Sequence, residues 1–297
     1  MFKRILLFSL TNILIIVTLT FLFKLLGLDY WASSRGYNLP GLLIFCCVWG
    51  FGGAFISLLL SKTIAKWTMK VKIIKENETN PQLREIYETV KKLSHAAKLP
   101  KMPEVGIYES PDLNAFATGP SKSNSLVAVS SGLLNRMNKR EVEGVLAHEV
   151  AHIANGDMVT MTLLQGVVNV FVMFFARIIA GIVANSVRGE MRHIVHFGTV
   201  IVLEIVLGLL GMLVVAYYSR GREYRADRGG ANLAGTQSMV EALRALQRNY
   251  QPALMQENAV SSLKISGKTS GLMAFLSTHP PLEKRITKLL EPDRAPA

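Results

Sequence analysis

The stretch "EGVLAHEVAHIANGDMVTMTLLQGVVNVFVMFFA" (residues 143–176) joins a charged helical pattern to an uncharged apolar run. Its first half contains His148, Glu149 and His152 within little more than one turn of a helix. Residues four apart project from the same face of a helix, so the two histidines can bind one metal ion through their ring nitrogens. The second half is apolar enough to enter a bilayer. The stretch therefore predicts a metal-binding helix at the edge of a membrane.

Glu149 lies roughly 100° around the helix from His148, which is too far for a third ligand but suits a general base. A bound Zn²⁺ lowers the pKa of a water toward ~7 and polarises a substrate carbonyl, and a nearby carboxylate then passes the proton of that water to the leaving amine. The pattern thus predicts peptide-bond hydrolysis with one Zn²⁺ per chain. The same five-residue pattern arises by chance in on the order of one chain in a hundred, so by itself it leaves catalysis open.

Composition suggests a membrane protein. Half of the 297 residues are hydrophobic, and the formal net charge is +12. The basic residues cluster at the ends of apolar runs rather than along one amphipathic face, which favours anionic lipid headgroups as partners and argues against nucleic acid. The two cysteines, Cys46 and Cys47, are neighbours inside an apolar run, so no disulfide framework is expected.

Four apolar runs are long enough to span a bilayer, at about 5–23, 39–60, 158–180 and 197–218. Each contains close to the ~20 residues needed to cross ~30 Å of hydrocarbon at ~1.5 Å per residue. The run at 5–23 could instead be a cleaved signal peptide, but its apolar part exceeds the usual ~7–15 residues and no small-x-small cleavage site follows it. We therefore expect four transmembrane helices, of which the last two form a hairpin.

Basic residues predict how these helices are oriented. Five lysines lie between residues 62 and 75 and four arginines between residues 220 and 228, whereas the connections on the other side are more sparsely basic. An excess of basic residues marks cytoplasmic segments. Both chain ends and the segments 61–157 and 219–297 are therefore predicted to be cytoplasmic, and these two segments together carry the candidate site.

The segments outside the apolar runs indicate a mainly α protein with a small β-sheet. Residues 81–99 and 138–155 have helical spacing, and Asn138 with Glu141 forms a capping-box signature. Short runs rich in β-forming residues, separated by turn residues, predict the strands. These runs are "EVGIYES" (104–110), "NAFATG" (114–119) and "SLVAVS" (125–130).

A third metal ligand is predicted from topology. Two membrane crossings follow His152, so the chain returns to the same side near residue 219, and antiparallel neighbouring helices pack ~8–10 Å apart. The segment "GREYRAD" (221–227) then brings Glu223 to the histidines. Asp227, one helical turn later, can hold an imidazole N–H. The alternative is that Glu223 only pairs with a neighbouring arginine, Arg220 or Arg222.

"HEVAH" followed by "EYRAD" resembles the Glu-zincin pattern of metalloproteases. With the four spans and the motifs "NAFATG", "VAVSSGLL", "HIANGDMVTMTLLQG" and "THPPLEKRI", the chain is similar to the bacterial HtpX family of membrane metalloproteases along nearly its whole length. The resemblance implies a zincin-like domain in which His148, His152 and Glu223 bind Zn²⁺, Glu149 is the general base and Asp227 orients a histidine. It also implies a stress-response endopeptidase at the cytoplasmic face of the inner membrane. Its substrates would be misfolded or damaged membrane proteins or unfolded polypeptides.

Two further assignments concern substrate. In related zincins an Asn-Ala-aromatic segment is an edge strand that pairs with extended substrate, which suggests that role for Asn114, Ala115, Phe116 and Ala117. An ordinary core hairpin is the alternative. His279, in "STHPP", could donate to the developing oxyanion, could cap the metal in a resting state, or could be a surface histidine.

Glu204 is the acidic residue within the last apolar run. An ionisable group at mid-bilayer costs about 2–3 kcal/mol even on the lenient insertion scale, so Glu204 should face other helices. We expect it to bond Asn169 or a threonine of the preceding helix and so stabilise the hairpin. Admission of substrate helices is a second possible role.

Two classes of function are compatible with these residues. A zinc endopeptidase leaves one coordination position open for water, whereas a non-catalytic membrane scaffold or zinc-binding regulator would use a closed structural site with four protein ligands. Only three nitrogen and oxygen ligands are predicted here, and both cysteines lie in an apolar run, which favours the enzyme. A peptidase that cuts within the bilayer fits less well, because the predicted ligands lie outside the apolar runs.

Overall fold

Helices dominate the computed structural model, which describes residues 38–260 and 278–291, the backbone alone over 250–260. The described helices are α1 (Leu39–Thr68), α2 (Pro81–Ala96), α3 (Ser131–Arg136), α4 (Lys139–Asn155), α5 (Asp157–Ala184), α6 (Met191–Ala234), α7 (Thr236–Val260) and α8 (Leu282–Leu290). The described strands are β1 (Lys72–Ile74), β2 (Glu104–Tyr108), β3 (Ala115–Ser121) and β4 (Asn124–Ser130). The prediction of a mainly α chain with a small sheet is confirmed.

Three of the described helices, α1, α5 and α6, are long and apolar enough to cross a membrane. They contain the expected spans at about 39–60, 158–180 and 197–218, and each extends beyond its expected span. The expected span at 5–23 lies outside the described residues. Length and composition therefore support an integral membrane protein with at least these three candidate spans.

The chain divides into two compact units. The first, which we call the span unit, comprises Met1–Ser57 and Thr162–Val215. In its described part, α1 packs against α5 through an apolar cluster. Gly50 permits close contact there, because a Cβ added to it would lie 3.0 Å from the backbone nitrogen of Val170. Small residues at helix contacts let backbones approach, which is the usual basis of helix packing in lipid.

Glu204 has a different partner from the one expected. Its Oε1 lies 2.9 Å from Nη1 of Arg177, while Asn169 donates to the carbonyl of Gly50 at 3.4 Å. The prediction of an Asn169 partner was wrong because Arg177, about two turns further along α5, supplies a full positive charge to Glu204. Arg177 lies within the expected span at 158–180 and pairs with this residue of α6. It also lies 5.6 Å from the centroid of the Phe45 ring, a cation–π distance.

The second unit, which we call the sheet unit, comprises Leu58–Met161 and Ala216–Ala297. Its four strands have the order β1-β2-β4-β3, with β2 and β4 parallel and the other pairs antiparallel. β3, which carries most of the "NAFATG" segment, is therefore an edge strand. Alternation along β4 directs Val127 and Val129 to the helical core and Leu126 and Ala128 to the opposite face.

Helix α4 is held rigidly in the core of the sheet unit. The Asn138 side chain accepts the N–H of Glu141, and the Glu141 carboxylate accepts the N–H of Asn138, which forms the predicted capping box. Gly156 ends the helix in the left-handed conformation at φ 75°. α4 packs against α7, α2 and the sheet through an apolar face that includes Leu146 and Ile153, both fully buried. This packing sets the rotation of α4 and hence the direction of its histidines.

Candidate metal centre

The two histidines of α4 face each other across a narrow space. Nε2 of His148 lies 3.1 Å from Nε2 of His152, and the two rings are nearly perpendicular at 83°. Both side chains are buried. Their spacing of four residues and the packing of α4 produce this arrangement, as the helical period predicts.

Glu223 of α6 completes a set of three donor groups. Its Oε1 lies 3.4 Å from Nε2 of His152 and its Oε2 lies 3.5 Å from Nε2 of His148. A tetrahedral ion with bonds of ~2.0–2.1 Å needs ligand atoms about 3.3–3.4 Å apart. The Nε2–Nε2 separation of 3.1 Å and the distances of 3.4 and 3.5 Å from the two rings to the two Glu223 oxygens are close to that requirement. The two carboxylate distances belong to different oxygens, so the carboxylate lies between the two rings. His148, His152 and Glu223 could therefore hold one metal ion.

A carboxylate holds the other nitrogen of each ring. Oδ1 of Asp227 lies 3.0 Å from Nδ1 of His148, and Oδ2 of Asp157 lies 2.6 Å from Nδ1 of His152. Because carboxylates accept, each Nδ1 carries a hydrogen, which leaves Nε2 of each ring as the nitrogen that can bind a metal in the shared space. This is the usual outer support of a metal-binding histidine. The position of Asp227 agrees with its expected role, whereas sequence reasoning missed Asp157.

A detectable signal for Asp157 was present in the sequence. It is the first residue of α5, directly after the Gly156 turn that ends α4. Gly156 ends α4 four residues after His152, and the side chain of the next residue, Asp157, reaches the His152 ring. A carboxylate at a helix N-terminus is also favoured by the helix dipole, which makes this position suitable for a fixed charge.

The carboxylates give the site a preference for positive charge. Burial by itself would lower the pKa of His152, but hydrogen bonds with Asp157 and Glu223 outweigh it and raise the pKa of His152 to about 9. Burial likewise opposes protonation of His148, and Asp227 and Glu223 raise its pKa above the ordinary value. The same carboxylates that favour protonated rings would favour a bound cation, which binds the rings in competition with protons.

Arg285 of α8 is a second residue that sequence reasoning missed. Its Nε and Nη2 donate to the two oxygens of Asp227 at 2.8 and 2.6 Å, and its Nη1 lies 3.6 Å from Oε2 of Glu223. The guanidinium is buried. The pair is bidentate, which fixes the plane of the Asp227 carboxylate as well as its position. The signal lay in the motif "THPPLEKRI", which sequence reasoning used only for the family resemblance.

His279 and Arg222 also contact Glu223. Nδ1 of His279 lies 2.8 Å from Oε2 of Glu223, although the His279 side chain is 62% exposed. Nη2 of Arg222 lies 3.0 Å from Oε1 of Glu223, so one of the two arginine pairings considered for Glu223 exists beside its contacts with the histidines. His279 is therefore beside the candidate centre and not on an unrelated surface.

Glycines bring α6 close enough to α4 for these contacts. A Cβ added to Gly230 would lie 3.1 Å from the backbone nitrogen of His148 and 2.7 Å from Sδ of Met239. A Cβ on Gly229 would lie 2.8 Å from Cβ of Ala151. The pair Gly229-Gly230 thus lets the two helix backbones approach directly. This proximity places Glu223 and Asp227, on the preceding turns of α6, at the rings of α4.

The remaining predicted residues lie around this centre. Glu149 follows His148 on α4, is half-buried, and is not one of the three converging donors. Ala115 and Ala117 of β3 pack against the core that contains α4, whereas the Phe116 ring lies on the other face of the sheet, 5.6 Å from the Tyr108 ring. Asn114 directly precedes β3 and is exposed.

Comparison with known proteins identifies the family. The model of peptidase family M48 matches residues 78–293, and that of the RDD family matches residues 1–90. The Protease HtpX homolog of Bacillus licheniformis is 52% identical over 294 residues, which cover 97% of this chain and 98% of that protein. Protease HtpX of Shewanella pealeana is 50% identical over 293 residues, which cover 97% of this chain and 99% of that protein.

A solved structure shares the fold. The crystal structure of S. mikatae Ste24p matches with a TM-score of 0.60 and 18% identity over 92% of this chain. The chain spans 66% of the length of that protein, and the match shows the fold alone. The family model and the identities near 50% go further, because they cover most of the chain. This chain therefore belongs to peptidase family M48, among the HtpX proteases, and is a membrane metalloprotease.

Proposed function

We propose that this metalloprotease binds one Zn²⁺ per chain through His148, His152 and Glu223 and cleaves polypeptides at that centre. The observation that carries the proposal is the convergence of two imidazole nitrogens and one buried carboxylate within 3.5 Å, with each Nδ1 tied to a carboxylate. When bound, Zn²⁺ would supply Lewis acidity toward a water and the scissile carbonyl. With three protein ligands one position stays open, which supports a catalytic site over a structural one.

In this proposal Glu149 is the general base. It sits beside the donor set on α4 without belonging to it, so its carboxylate is available to take a proton from the attacking water. The same carboxyl then delivers that proton to the nitrogen of the leaving amine, which balances the hydrolysis. Asp157 and Asp227 hold the rings in the correct tautomer, and Arg285 holds Asp227.

The edge strand β3 would bind the substrate backbone. Ser130 N–H donates to the carbonyl of Asn114 at 2.9 Å, so the backbone of Asn114 is directed at β4 and not outward. Hydrogen-bonded and non-hydrogen-bonded pairs alternate in an antiparallel ladder. By that alternation the outward N–H and C=O groups belong to Ala115 and Ala117. The substrate-pairing role proposed for the backbone from Asn114 to Ala117 is thereby narrowed to these two residues.

The binding edge of β3 is short. The pairing of β3 with β4 shifts register between Thr118 and Ser121, where Gly119 has φ 137° and Pro120 lacks an N–H. A substrate strand can therefore form about four main-chain hydrogen bonds, two at each outward residue. Such bonds do not depend on side chains, which suits a protease that acts on many unfolded segments. The exposed amide of Asn114 could grip one further substrate carbonyl.

His279 is proposed to act at the centre. Its hydrogen bond to Glu223 supports either of two roles, donation to the developing oxyanion or occlusion of the metal in a resting state. Substitution by alanine separates them. Loss of the oxyanion donor lowers the turnover number, whereas loss of an occluding ligand raises it.

The cellular setting is also part of the proposal. We infer four transmembrane helices, with 5–23 as the first, in the bacterial inner membrane, and both chain ends and the segments 61–157 and 219–297 in the cytoplasm. The basic residues beside the spans support this orientation and contact with anionic lipids, and argue against nucleic acid as a partner. The substrates would be misfolded or damaged membrane proteins, cut in their cytoplasmic segments as quality control.

The central test is Glu149→Gln in the full-length protein. Cleavage of an unstructured peptide should fall by roughly 10²–10⁴-fold, the usual worth of a general base, while zinc stays near one per chain. Glu143→Gln is the matched control, since Glu143 is on the same helix and pairs with Lys92 outside the centre. Wild-type turnover by the Glu149 variant would remove the base assignment. A reporter fused after Arg188 should read as non-cytoplasmic, and a cytoplasmic reading would overturn the orientation.

A further inference from the structure

Ser130, Ser131 and Gly132, which we call the SSG segment, join the end of β4 to the start of α3. They form the centre of the "VAVSSGLL" motif, which neither the metal centre nor the substrate edge explains. Ser130 has no solvent exposure at all, although serine is usually a surface residue. A buried hydroxyl needs hydrogen-bond partners, and two of those of Ser130 lie in the loop that leads into β3.

The Ser130 hydroxyl forms three hydrogen bonds. Its Oγ donates to the carbonyl of Asp112 at 2.6 Å and accepts the backbone N–H of Asn114 at 3.1 Å. It also accepts the N–H of Leu133 at 3.1 Å, which caps α3. The hydroxyl therefore ties the two residues before the substrate edge to the rigid start of a helix.

The rest of the SSG segment grips the same loop one step earlier. Oγ of Ser131 donates to the carbonyl of Ser110 and accepts its N–H, both at 3.2 Å. The N–H of Gly132 donates to the same carbonyl at 2.8 Å. A Cβ on Gly132 would lie 2.3 Å from the carbonyl oxygen of Pro111, so the loop passes where only glycine leaves room.

We propose that Ser130 is a positioning residue for substrate. It fixes the register and direction of β3 at its entry, so that Ala115 and Ala117 present their backbone groups to an extended peptide at the correct height beside α4. The inference rests on the proposed role of β3 as the substrate edge. The Ser130 hydroxyl bonds Asp112, Asn114 and Leu133, none of which is a proposed metal ligand, so it would act through the strand.

Ser125 provides a matched control on the same strand. It is 2% exposed, and its hydroxyl has no hydrogen-bond partner among the described residues. Ser125→Ala and Ser130→Ala thus remove the same atom from the same strand at the same burial. They differ in whether that atom holds the loop before β3.

The test measures KM and kcat of the full-length enzyme on an unstructured peptide and on copies N-methylated at single backbone positions. Ser130→Ala should raise KM by roughly tenfold with kcat nearly unchanged, because the strand that Ser130 positions would bind the ground state and the transition state alike. Ser130→Cys, which keeps a weak donor, should recover part of the affinity. Ser125→Ala should match the wild type.

The N-methylated peptides separate positioning from general stability. In the wild type, methylation at positions that pair with Ala115 or Ala117 should raise KM by roughly tenfold, and in Ser130→Ala this penalty should shrink to about twofold. An undiminished penalty in Ser130→Ala overturns the proposal. If Ser130→Ala does not fold, Ser130→Cys and Ser131→Ala are measured in its place. A rise in KM on N-methylation as large as in the wild type, in both variants, would also overturn the proposal. If N-methylation at every position leaves the KM of the wild-type enzyme unchanged, the proposed role of β3 as the substrate edge is wrong. That result is separate from the test of Ser130.

Discussion

Two glutamates on the same helix, α6, have opposite surroundings. Glu204, in the span unit, is 38% exposed and, within the described part of the chain, pairs with Arg177. Glu223, in the sheet unit, is completely buried and contacts both histidines of α4, as well as His279 and Arg222. One carboxylate is neutralised by a single charge, whereas the other lies where several nitrogen atoms converge.

The different surroundings of Glu204 and Glu223 show what distinguishes a simple ion pair from a binding site. An ion pair between two helices needs one partner, and Arg177 satisfies Glu204 while also bonding the carbonyl of Met173 in its own helix. Around Glu223, both ring nitrogens point inward because carboxylates hold the outer ones. Nitrogen and carboxylate donors that converge in one buried space are suited to bind a cation.

The largest effect is expected when the carboxylate of Glu223 is removed and that of Glu204 serves as the control. Glu223→Ala removes one of three donors, so purified protein should retain far less than one zinc per chain, and cleavage should fall by roughly a thousandfold or more. Glu204→Ala should keep its zinc. Elemental analysis of both variants checks this, and full zinc content in Glu223→Ala would show that this carboxylate is not a ligand.

The next effect concerns Arg285, whose guanidinium holds Asp227 beside the metal centre. Arg285→Met leaves Asp227 buried without its bidentate partner, which should cost about 3–5 kcal/mol of unfolding free energy. Lys139→Met is the control, since its pair with Glu85 is exposed on both sides, 82% and 42%, and should contribute about 0–1 kcal/mol. Denaturant unfolding of the sheet unit reports both. Equal losses in the two variants would contradict the account of Arg285.

A smaller effect is expected at the outer partner of His152. Asp157→Asn preserves shape but no longer stabilises the ring with a full charge, so zinc affinity should fall by roughly 10–100-fold while the three ligands stay in place. Asp112→Asn, in an exposed loop, should leave affinity unchanged. Competition with a chelator measures the zinc affinity of both variants. Unchanged affinity in Asp157→Asn would mean that Asp157 only caps α5.

The smallest effect tests the helix approach that brings Glu223 to the rings. Gly230→Ala should cost about 1–3 kcal/mol, because the added Cβ meets the backbone of His148 and forces α6 outward. Gly221→Ala, on the same helix, meets nothing within 4 Å and should stabilise by about 0.5–1 kcal/mol. Thermal unfolding distinguishes the two signs. A stabilising Gly230→Ala would show that the contact is loose.

Sequence reasoning was most successful where short-range rules apply. The membrane metalloprotease assignment is confirmed by the family match, and the spacing of His148 and His152 on one helix face follows from the helical period alone. The apolar runs predicted three described spans by length. Glu223 required one further step, that a returning hairpin ends beside its start, and its role as a ligand stays a prediction.

Sequence by itself determined the residue types of the chemistry, the helix that carries two of them, and the apolar segments, because each depends on neighbours within a few turns. Tertiary structure alone decided that Arg285 holds Asp227, that Arg177 rather than Asn169 pairs with Glu204, and that β3 is an edge strand rather than part of a core hairpin. The two ion pairs join residues 58 and 27 positions apart, and all three features depend on which faces pack and how closely. Packing of whole elements selects such partners, and no local pattern encodes it.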